Sequence, residues 1–390
     1  MDRGKKRLCV VTSTRADWGL HSPVCRSLRA SGLIDIDIVA TNMHLSPAYG
    51  NTVDEIIADG FEPLRVPVDE EDSGDASRAR VMARTLSGMA EAFSILKPDA
   101  VLLLGDRYEM LAVASAASVM HIPIIHIAGG EVTEGALDDS FRHAITKLSS
   151  LHLTATDDYR RRVIQMGENP DSVINTGAIG VWNAMNIPLM PAAEISESLG
   201  FDVTVKPLAI VTYHPATNDA TPPVERLQSL LDALDRYPGL RLVITAPNND
   251  SGGHDILEAL MRYAQERRGR AVAVRSLGAY RYHSLLRLAS FVIGNSSSGI
   301  VEVPSAGIPT IDIGMRQRGR IAGPSVIHCG DTADEIAEAI DKALSPGMRE
   351  IAGRCENPYG KPDTCRLMTE AIEAFMTSLP LPPKTFYDLR

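Results

Sequence analysis

The sequence has few cysteines, and their spacing fits neither a disulfide framework nor a zinc site. There are five in 390 residues, with no CxxC pair and no cysteine–histidine spacing suited to zinc. They are Cys9, Cys25, Cys329, Cys355 and Cys365. Scattered free thiols are typical of a reducing compartment. We therefore expect a cytoplasmic protein without a bound metal.

Long apolar runs and blocks of positive charge are also missing. No stretch approaches the roughly 18 apolar residues that span a bilayer, and the apolar run in "MDRGKKRLCVVTSTR" is too short for a secretion signal. The formal net charge is −10, with no basic block. This balance predicts neither nucleic-acid nor membrane partners, and an anionic ligand would have to be held by local donors.

The alternation of predicted strands and helices indicates two α/β domains. Short β-branched runs such as "RLCVVT" alternate with amphipathic segments such as "HSPVCRSLRASG" (21–32), as in parallel βαβ units. The pattern breaks at 187–207, where prolines cluster. We predict two Rossmann-like doubly wound domains with an interdomain cleft. Residues 1–187 form the first, joined by a C-terminal helix at 362–390, and residues 188–361 form the second.

Polar or glycine-containing segments follow many of the predicted strands. In parallel α/β sheets, ligands bind beyond the carboxyl ends of the strands. Single polar loops there are common, but the chain has a series of them. They are "TSTRADWG" (12–19), "GDRYE" (105–109), "GGE" (129–131), "YHPAT" (213–217), "APNNDSGG" (246–253) and "GNSSSG" (294–299).

The segment "GNSSSGIVEVP" predicts a phosphate site. Gly294 and Gly299 allow close backbone approach, and Ser296–Ser298 supply donors at a helix start, where the dipole favours an anion. The alternative is a serine cluster that only caps the helix. Glu302, one turn later, is placed to accept hydrogen bonds from ribose hydroxyls. Neither a P-loop nor GxGxxG is present, so ATP and dinucleotides are not favoured.

Three arginines and one histidine are further candidates. Arg15, Arg107 and Arg316 each follow a strand, and a guanidinium fork suits phosphate oxygens. Solvated surface arginine is the alternative for each. His214 follows a strand and precedes a proline, so it can donate to phosphate or transfer a proton near neutral pH. A structural loop histidine is the alternative there.

An acidic cluster indicates acid/base chemistry. Asp106 and Glu131 each follow a strand, and adjacent parallel strands would bring both carboxylates to one edge. Asp138 and Arg142 are four residues apart on the predicted helix "DDSFRHAITKL", where they can form an ion pair. Alternatively, Asp138 or Asp139 caps that helix and Arg142 is solvated. Crowded carboxylates raise one another's pKa, so that one can act as acid and another as base.

Ordered motifs along nearly the whole chain resemble the hydrolysing UDP-N-acetylglucosamine 2-epimerases of sialic and related nonulosonic acid biosynthesis. The motifs are "TSTRADWGL", "ATNMHLSPAYGNT", "GDRYE", "GGEVTEGALDDSFRHAITKLSSLHLTAT", "IQMGE", "YHPAT", "PNND", "GNSSSGIVEVP", "GMRQRGR" and the tail "FYD". The resemblance implies a glycosyltransferase-B-like fold, no metal, no cofactor, and a homo-oligomer, either dimer or tetramer. It also implies anti elimination of UDP to a bound glycal, followed by hydration with inversion at C2.

The resemblance assigns roles to individual positions. Matching catalytic positions are Asp106, Asp138, Arg142 and His214. Matching UDP-contacting positions are Arg15, Gly19, Arg107, Asn248, Ser296, Ser297, Glu302 and Arg316. Asp250 and Glu131 lie in matching motifs without a settled role. Many members read "HIEGGE" where this chain reads "HIAGGE", so Ala128 replaces a catalytic glutamate. We hypothesise that Glu131 or Asp106 takes over its proton transfer.

Two substrates are compatible with this resemblance. UDP-N-acetylglucosamine would give N-acetylmannosamine, which we favour slightly. UDP-N,N'-diacetylbacillosamine would give 2,4-diacetamido-2,4,6-trideoxymannose on the route to legionaminic acid. A glycosyltransferase, a non-hydrolysing epimerase and an inactive nucleotide-sugar sensor are rival functions. The sensor is disfavoured, because binding alone gives no reason to crowd carboxylates near an anionic ligand.

Overall fold

The computed structural model describes residues 4–47, 50–68, 75–133, 137–215, 223–247 and 253–389. The chain divides into two compact units. The first unit comprises residues 1–131, 137–182 and 361–390, and the second comprises residues 132–136 and 183–360. The domain limits that we predicted, 187/188 and 361/362, differ from these divisions by a few residues. Asn248 and Asp250 lie outside the described residues.

Strands and helices alternate through both units. The described strands are β1 (Lys6–Thr12), β2 (Ile34–Thr41), β3 (Leu64–Val66), β4 (Ala100–Leu104), β5 (Ile124–Ile127), β6 (Leu151–Thr154), β7 (Val173–Asn175), β8 (Leu208–Thr212), β9 (Arg241–Thr245), β10 (Ala271–Val274), β11 (Phe291–Gly294), β12 (Thr310–Ile313) and β13 (Val326–Cys329). The described helices are α1 (Arg15–Ser31), α2 (Val53–Ala58), α3 (Asp75–Leu96), α4 (Tyr108–Val119), α5 (Asp138–Leu148), α6 (Asp157–Gln165), α7 (Ile179–Asn186), α8 (Ala192–Leu199), α9 (Pro223–Asp235), α10 (Gly253–Glu266), α11 (Gly278–Leu286), α12 (Ser297–Val301), α13 (Ala333–Leu344), α14 (Pro346–Gly353) and α15 (Thr364–Thr377). None of these helices is long and apolar enough to cross a lipid bilayer.

The first unit is built on a parallel sheet of order β3-β2-β1-β4-β5-β6-β7. Residues 8–11 of its central strand β1 are fully buried, as expected for a parallel sheet with both faces covered. Helix α15 packs on α1 and buries Met368 and Ile372 in the core of this unit. The C-terminal helix therefore belongs to the first unit.

The second unit repeats the arrangement with the order β10-β9-β8-β11-β12-β13. The backbones of β11 and β8 approach closely at Gly294, which has a φ of +145°. A Cβ there would overlap the carbonyl oxygen of Thr212, so only glycine fits without displacing the backbone. Two parallel sheets, each with its first strand in the middle, confirm the predicted α/β class with two Rossmann-like domains.

Helix α1 begins earlier than we predicted. It starts at Arg15, whereas the hydrophobic periodicity of the sequence predicts a start at His21. The cause is a capping box. The Thr14 hydroxyl accepts from the backbone N–H of Asp17, and the Asp17 carboxylate accepts from the N–H of Thr14. Arg15 is therefore in the first turn of the helix and not in a loop.

The sequence pattern did not predict three short strands, which are β3, β7 and β13. Each lies at the edge of its sheet and has only three or four residues. Edge strands in proteins are often short and carry polar side chains, which limits unwanted pairing. Their sequences therefore lack the long β-branched run that identifies a central strand.

Candidate functional site

Arg142 joins the loops that follow β4 and β5. Its side chain is 1% exposed and forms an ion pair with Asp106, which follows β4. The same guanidinium donates at 3.0 Å to the carbonyl oxygen of Glu131 and at 3.0 Å to the carboxylate of Asp139. A buried guanidinium with several acceptors holds them in one geometry. The structure thus brings Asp106 and the Glu131 backbone together at one edge of the sheet.

The turn at residues 128–131 is held tightly from α6. Gly130 has a φ of +79°, and a Cβ there would come 2.5 Å from the carbonyl oxygen of Tyr159. Arg162 of the same helix donates to the Gly130 carbonyl. Ala128 has a φ of +68°, a left-handed conformation that costs an L-residue energy. Packing against α6 therefore supports a strained turn beside Arg142.

His126 supports the Asp106 loop from within the sheet. Its Nε2 lies 2.8 Å from the carbonyl oxygen of Gly105, so this nitrogen carries the proton and donates. Burial lowers the pKa of His126 to about 3. The ring is therefore neutral at physiological pH. It acts as a fixed hydrogen-bond donor to the backbone just before Asp106.

A second polar cluster surrounds Glu109 in the first unit. Arg107 forms an ion pair with Glu109, whose side chain is 1% exposed. The Ser13 hydroxyl lies 3.0 Å from Glu109 and 2.8 Å from Asp17. The predicted phosphate ligand Arg107 therefore has a buried carboxylate partner. The charge of that carboxylate reduces the free positive charge available to an anion.

Two other predicted UDP contacts lie on α1. Arg15 pairs with Glu55 at 3.2 Å, and both side chains are partly exposed. Screening makes such exposed pairs weak, so Arg15 can exchange Glu55 for another anion at little cost. At Gly19, a Cβ would meet no atom within 4 Å. Packing within the described chain therefore does not explain glycine at this position.

The alternative in which Asp138 or Asp139 caps α5 and Arg142 is solvated is wrong. The N-cap is Leu137, and no side chain makes a capping hydrogen bond there. Asp138 and Asp139 are instead the first two residues of the helix. The Asp139 carboxylate pairs with Arg142 and lies 3.4 Å from His143. The Asp139 carboxylate therefore contacts side chains one turn further along the helix and does not cap the helix start.

Asn295 joins three loops of the second unit. Its Oδ1 accepts from the backbone N–H of His214 at 2.7 Å, and its Nδ2 donates to the His214 carbonyl at 2.9 Å. Arg316 and Gln317 donate to the Asn295 carbonyl at 3.1 Å and 3.0 Å. The side chain of Asn295 is almost fully buried. It therefore fixes the loops after β8, β11 and β12 relative to one another.

The serine segment that follows Asn295 begins α12. Ser296 is at the N-cap position, but its hydroxyl makes no capping hydrogen bond, contrary to the helix-cap alternative. Ser298 Oγ lies 2.7 Å from the hydroxyl of Tyr282. The hydroxyl of Ser296 is thus not used within the helix.

Glu302 lies at the C-terminal end of α12 with a side chain that is 20% exposed. Burial raises the pKa of Glu302 to about 8. His283 is a cationic candidate whose Nε2 lies 3.9 Å away, but burial lowers the pKa of His283 to about 4. The pair is therefore not an ion pair at neutral pH. Glu302 is instead a mostly buried carboxyl group suited to hydroxyl partners.

Residues 26–373 match the sequence profile of a family described as UDP-N-acetylglucosamine 2-epimerase. The chain belongs to this epimerase family. A relative from Campylobacter jejuni, named GDP/UDP-N,N'-diacetylbacillosamine 2-epimerase (hydrolyzing), is 36% identical over 346 residues, which cover 89% of each chain. A relative from Escherichia coli, named polysialic acid biosynthesis protein P7, is 34% identical over 386 residues, which cover 98% of each. The resemblance inferred from the motifs is confirmed.

The fold of the epimerase family also agrees. The crystal structure of UDP-GlcNAc 2-epimerase from Neisseria meningitidis bound to UDP-GlcNAc has a TM-score of 0.80 at 18% identity. The alignment covers 94% of this chain and 99% of that chain. At this level of identity the similarity shows the fold.

The residues predicted for the epimerase site form two groups. In the first unit, Arg142 contacts Asp106 and the backbone of Glu131. In the second unit, Asn295 lies between His214 and Arg316, next to Ser296. The catalytic and UDP-binding roles of these residues remain predictions. Among the residues that the structure describes, no group of three or more His, Cys, Asp or Glu side chains is placed to hold a metal ion.

Sequence reasoning missed two residues that organise the loops of the predicted site. Asn295 stands within the quoted "GNSSSG" segment, where an amide directly after a strand was a usable signal. His126 lies inside the apolar run "IPIIHIA". A single polar residue in such a run predicts a buried hydrogen bond, but its partner comes from another strand. The sequence therefore could not name it.

Proposed function

We propose that this chain is a hydrolysing 2-epimerase that acts on a UDP-2-acetamido sugar. Water and the UDP-sugar are consumed, and UDP and a free sugar with inverted C2 configuration are released. The observation that supports this most is the ion pair of buried Arg142 with Asp106 beside the backbone of Glu131. A guanidinium that is fixed next to carboxylates balances their negative charge, and the carboxylates can exchange protons with a sugar.

The proposed reaction has two steps. A carboxylate of the first unit removes H2, the C1–O bond breaks with its electron pair leaving on UDP, and a C1=C2 double bond forms. A base then takes a proton from water as its oxygen bonds to C1, and an acid protonates C2 on the face opposite to the one from which H2 was removed. Asp106, Glu131 and Asp138 are the candidate acids and bases, and His214 is a candidate partner for the leaving diphosphate.

The second unit is proposed to bind UDP. Arg316 is a cation next to Asn295, and the Ser296 hydroxyl is not used for helix capping. Both therefore suit the diphosphate. Glu302 is proposed to contact the ribose, because a buried carboxyl group is best satisfied by hydroxyl donors. Arg15, Gly19 and Arg107 are proposed UDP contacts from the first unit.

We propose UDP-N,N'-diacetylbacillosamine as the preferred substrate. Relatives from Campylobacter jejuni and Legionella pneumophila that are named for that sugar are each 36% identical to this chain, whereas a relative from Neisseria meningitidis serogroup B named UDP-N-acetylglucosamine 2-epimerase is 31% identical to it. This reverses our preference from the sequence, which was for UDP-N-acetylglucosamine. The reaction is the same for both sugars.

Incubation with each UDP-sugar in deuterated water tests this proposal. The expected products are UDP and a free sugar of mannose configuration with deuterium at C2, formed faster from the diacetylated substrate. The Arg142→Lys variant keeps the charge but loses the guanidinium fork, so it should turn over more slowly. Free sugar without label at C2 would disprove the elimination mechanism.

The same assay separates the rival functions. A non-hydrolysing epimerase returns labelled sugar still bound to UDP, and a glycosyltransferase needs an acceptor and leaves C2 unlabelled. A nucleotide-sugar sensor binds UDP without turnover. Faster reaction of UDP-N-acetylglucosamine would retain the mechanism and reject the substrate proposal.

A further inference from the structure

The C-terminal tail is attached to the carboxyl end of α5. Lys384 donates to the carbonyl oxygens of Lys147 at 2.7 Å and Ser149 at 2.6 Å. Its Nζ also lies 2.7 Å from a carboxylate oxygen of Glu168. An ammonium group has three N–H donors, and here each has an acceptor. Lys384 therefore caps a helix end whose carbonyls have no partner within the helix.

Glu168 is the centre of this attachment. Its side chain is 2% exposed and accepts hydrogen bonds from Lys147 at 2.6 Å and His152 at 3.0 Å, in addition to Lys384. Burial alone would raise the pKa of Glu168, but hydrogen bonds from His152, Lys147 and Lys384 lower it to about 2. A buried carboxylate is stable only while such partners remain. Loss of Lys384 therefore disturbs the group that also holds Lys147.

Two aromatic residues of the tail reinforce the contact. The backbone N–H of Tyr387 donates to the carbonyl oxygen of Gly167 at 3.0 Å. A side chain on Gly167 would overlap the ring of Phe386. The same ring lies 5.0 Å from the ammonium of Lys147, in a cation–π contact. The tail thus touches both the end of α5 and the turn that follows α6.

Both of these helices reach the proposed acid/base residues. Helix α5 carries Arg142, five residues before Lys147 and hence roughly 7.5 Å away along the axis. Helix α6 contacts the Gly130 carbonyl through Arg162. A shift of either helix would move Arg142 or the 129–131 turn. The tail is attached at the carboxyl end of α5 and at the turn directly after α6, whose last turn contains Arg162.

We propose that Lys384 is a positioning residue for the epimerase reaction. By capping α5 and pairing with Glu168, it fixes the helix so that Arg142 keeps its contacts with Asp106 and the Glu131 carbonyl. This inference rests on the proposed function. Lys384 touches no reacting atom in this scheme, and its effect passes through α5.

Full-length Lys384→Met and Lys384→Arg variants test the proposal. The control is Lys342→Met, which removes the same charge from an exposed position on α13. We expect Lys384→Met to lower kcat on the order of tenfold, because small misplacements of reacting groups have such effects. KM should change less than about twofold on the same reasoning. Lys384→Arg should recover part of the loss, and Lys342→Met should match the unchanged protein.

Two readouts do not depend on the amount of folded enzyme. The first is the ratio of released glycal to hydrated sugar, which we expect to rise in Lys384→Met because the bound glycal is less well placed for protonation at C2. The second is hydrogen–deuterium exchange of residues 137–148, which should become faster. An unchanged ratio and unchanged kcat per UDP-binding site would overturn the proposal.

The experiment distinguishes this inference from the proposed function. If the unchanged protein releases no free sugar, the proposed function fails. If the backbone amides of α5 then exchange hydrogen for deuterium at equal rates in Lys384→Met and the unchanged protein, the positioning role fails as well. A third outcome is that the unchanged protein is active and Lys384→Met only reduces the amount of folded protein. If the ratio of glycal to hydrated sugar and the hydrogen–deuterium exchange of residues 137–148 then stay constant, only the positioning role is rejected.

Discussion

The side-chain amide of Asn295 forms two hydrogen bonds with the backbone of His214, one to its N–H at 2.7 Å and one to its carbonyl at 2.9 Å. These residues are 81 positions apart. The pair connects the end of β8 to the end of β11, and Arg316 adds the loop after β12. The orientation of His214 therefore depends on a residue outside its own loop.

We expect Asn295→Ala to destabilise the protein and impair turnover. Two partly buried backbone groups of His214 would lose their partner, at a cost of about 1 kcal/mol or more in the free energy of unfolding. Turnover should fall by more than tenfold, because the backbone that carries the His214 imidazole is no longer held. Urea unfolding and steady-state kinetics measure the two effects.

A conservative partner variant sharpens that test. Asn295→Asp keeps an acceptor for the N–H of His214 but places a carboxylate oxygen against the His214 carbonyl. We expect it to be as damaging as the alanine variant. Wild-type turnover in either variant would mean that the position of His214 does not matter.

The base for elimination is expected to be Glu131 or Asp106, because the motif resemblance implies that Ala128 stands where many members of the family carry a glutamate. Glu131→Gln and Asp106→Asn each remove one candidate base while preserving size. The variant that lacks the base should lose at least about a hundredfold in single-turnover elimination. A variant that eliminates at nearly the wild-type rate is excluded as the base, and two such variants would reject the hypothesis.

Asp106→Asn and Glu131→Gln should also differ in their free energy of unfolding. Asp106 is the ion-pair partner of buried Arg142, so Asp106→Asn leaves that guanidinium with less negative charge. We expect Asp106→Asn to lower the free energy of unfolding by a few kcal/mol. Arg142 contacts Glu131 through its carbonyl oxygen, and Glu131→Gln retains that contact. Thermal unfolding of both variants checks this difference.

Much of the fold could be predicted from the sequence because the central strands are apolar and regularly spaced. β1 and β8 are continuous buried runs, and the polar loops after them lie at the predicted strand ends. Local signals also sufficed to place the "GNSSSG" segment at the end of β11. These features depend on residues close together in the chain.

The predictions of helix starts that failed concern residues whose side chains can make more than one local contact. The "DDSFRH" segment contains good N-cap residues, but Asp139 is drawn to Arg142 and His143 inside the helix. The start of α1 was missed because periodicity outweighed the capping box of Thr14 and Asp17. The partners of Asn295 and His126 come from other strands. No local pattern can identify them.

Stability should depend on pH through Glu302. Its folded-state pKa is about 8, against an ordinary value near 4.5. Below about pH 4.5 both folded and unfolded states hold the proton. Between about pH 4.5 and 8 the unfolded state loses it first, so the protein loses stability as pH rises. Above about pH 8 the loss is complete.

Glu302→Gln removes this dependence. The glutamine variant should gain stability relative to wild type as pH rises from 5 to 8, by up to a few kcal/mol. Thermal unfolding across this range is the measurement. Glu338→Gln, at an exposed position on α13, is the control and should show no such trend. A difference between Glu302→Gln and wild type that stays constant with pH would contradict the raised pKa.

The backbone of Ala128 is strained, at the position where the motif resemblance implies a glutamate in many members of the family. With a φ of +68° it adopts the left-handed region, which costs an L-residue about 1–2 kcal/mol. Ala128→Gly should remove the strain and, after the entropy cost of glycine, raise the free energy of unfolding by roughly 1 kcal/mol. Ala374→Gly, at an exposed position of helix α15, should lower it by about 1 kcal/mol. Urea unfolding measures both, and a loss of stability in both variants would show that the turn at 128–131 does not strain Ala128.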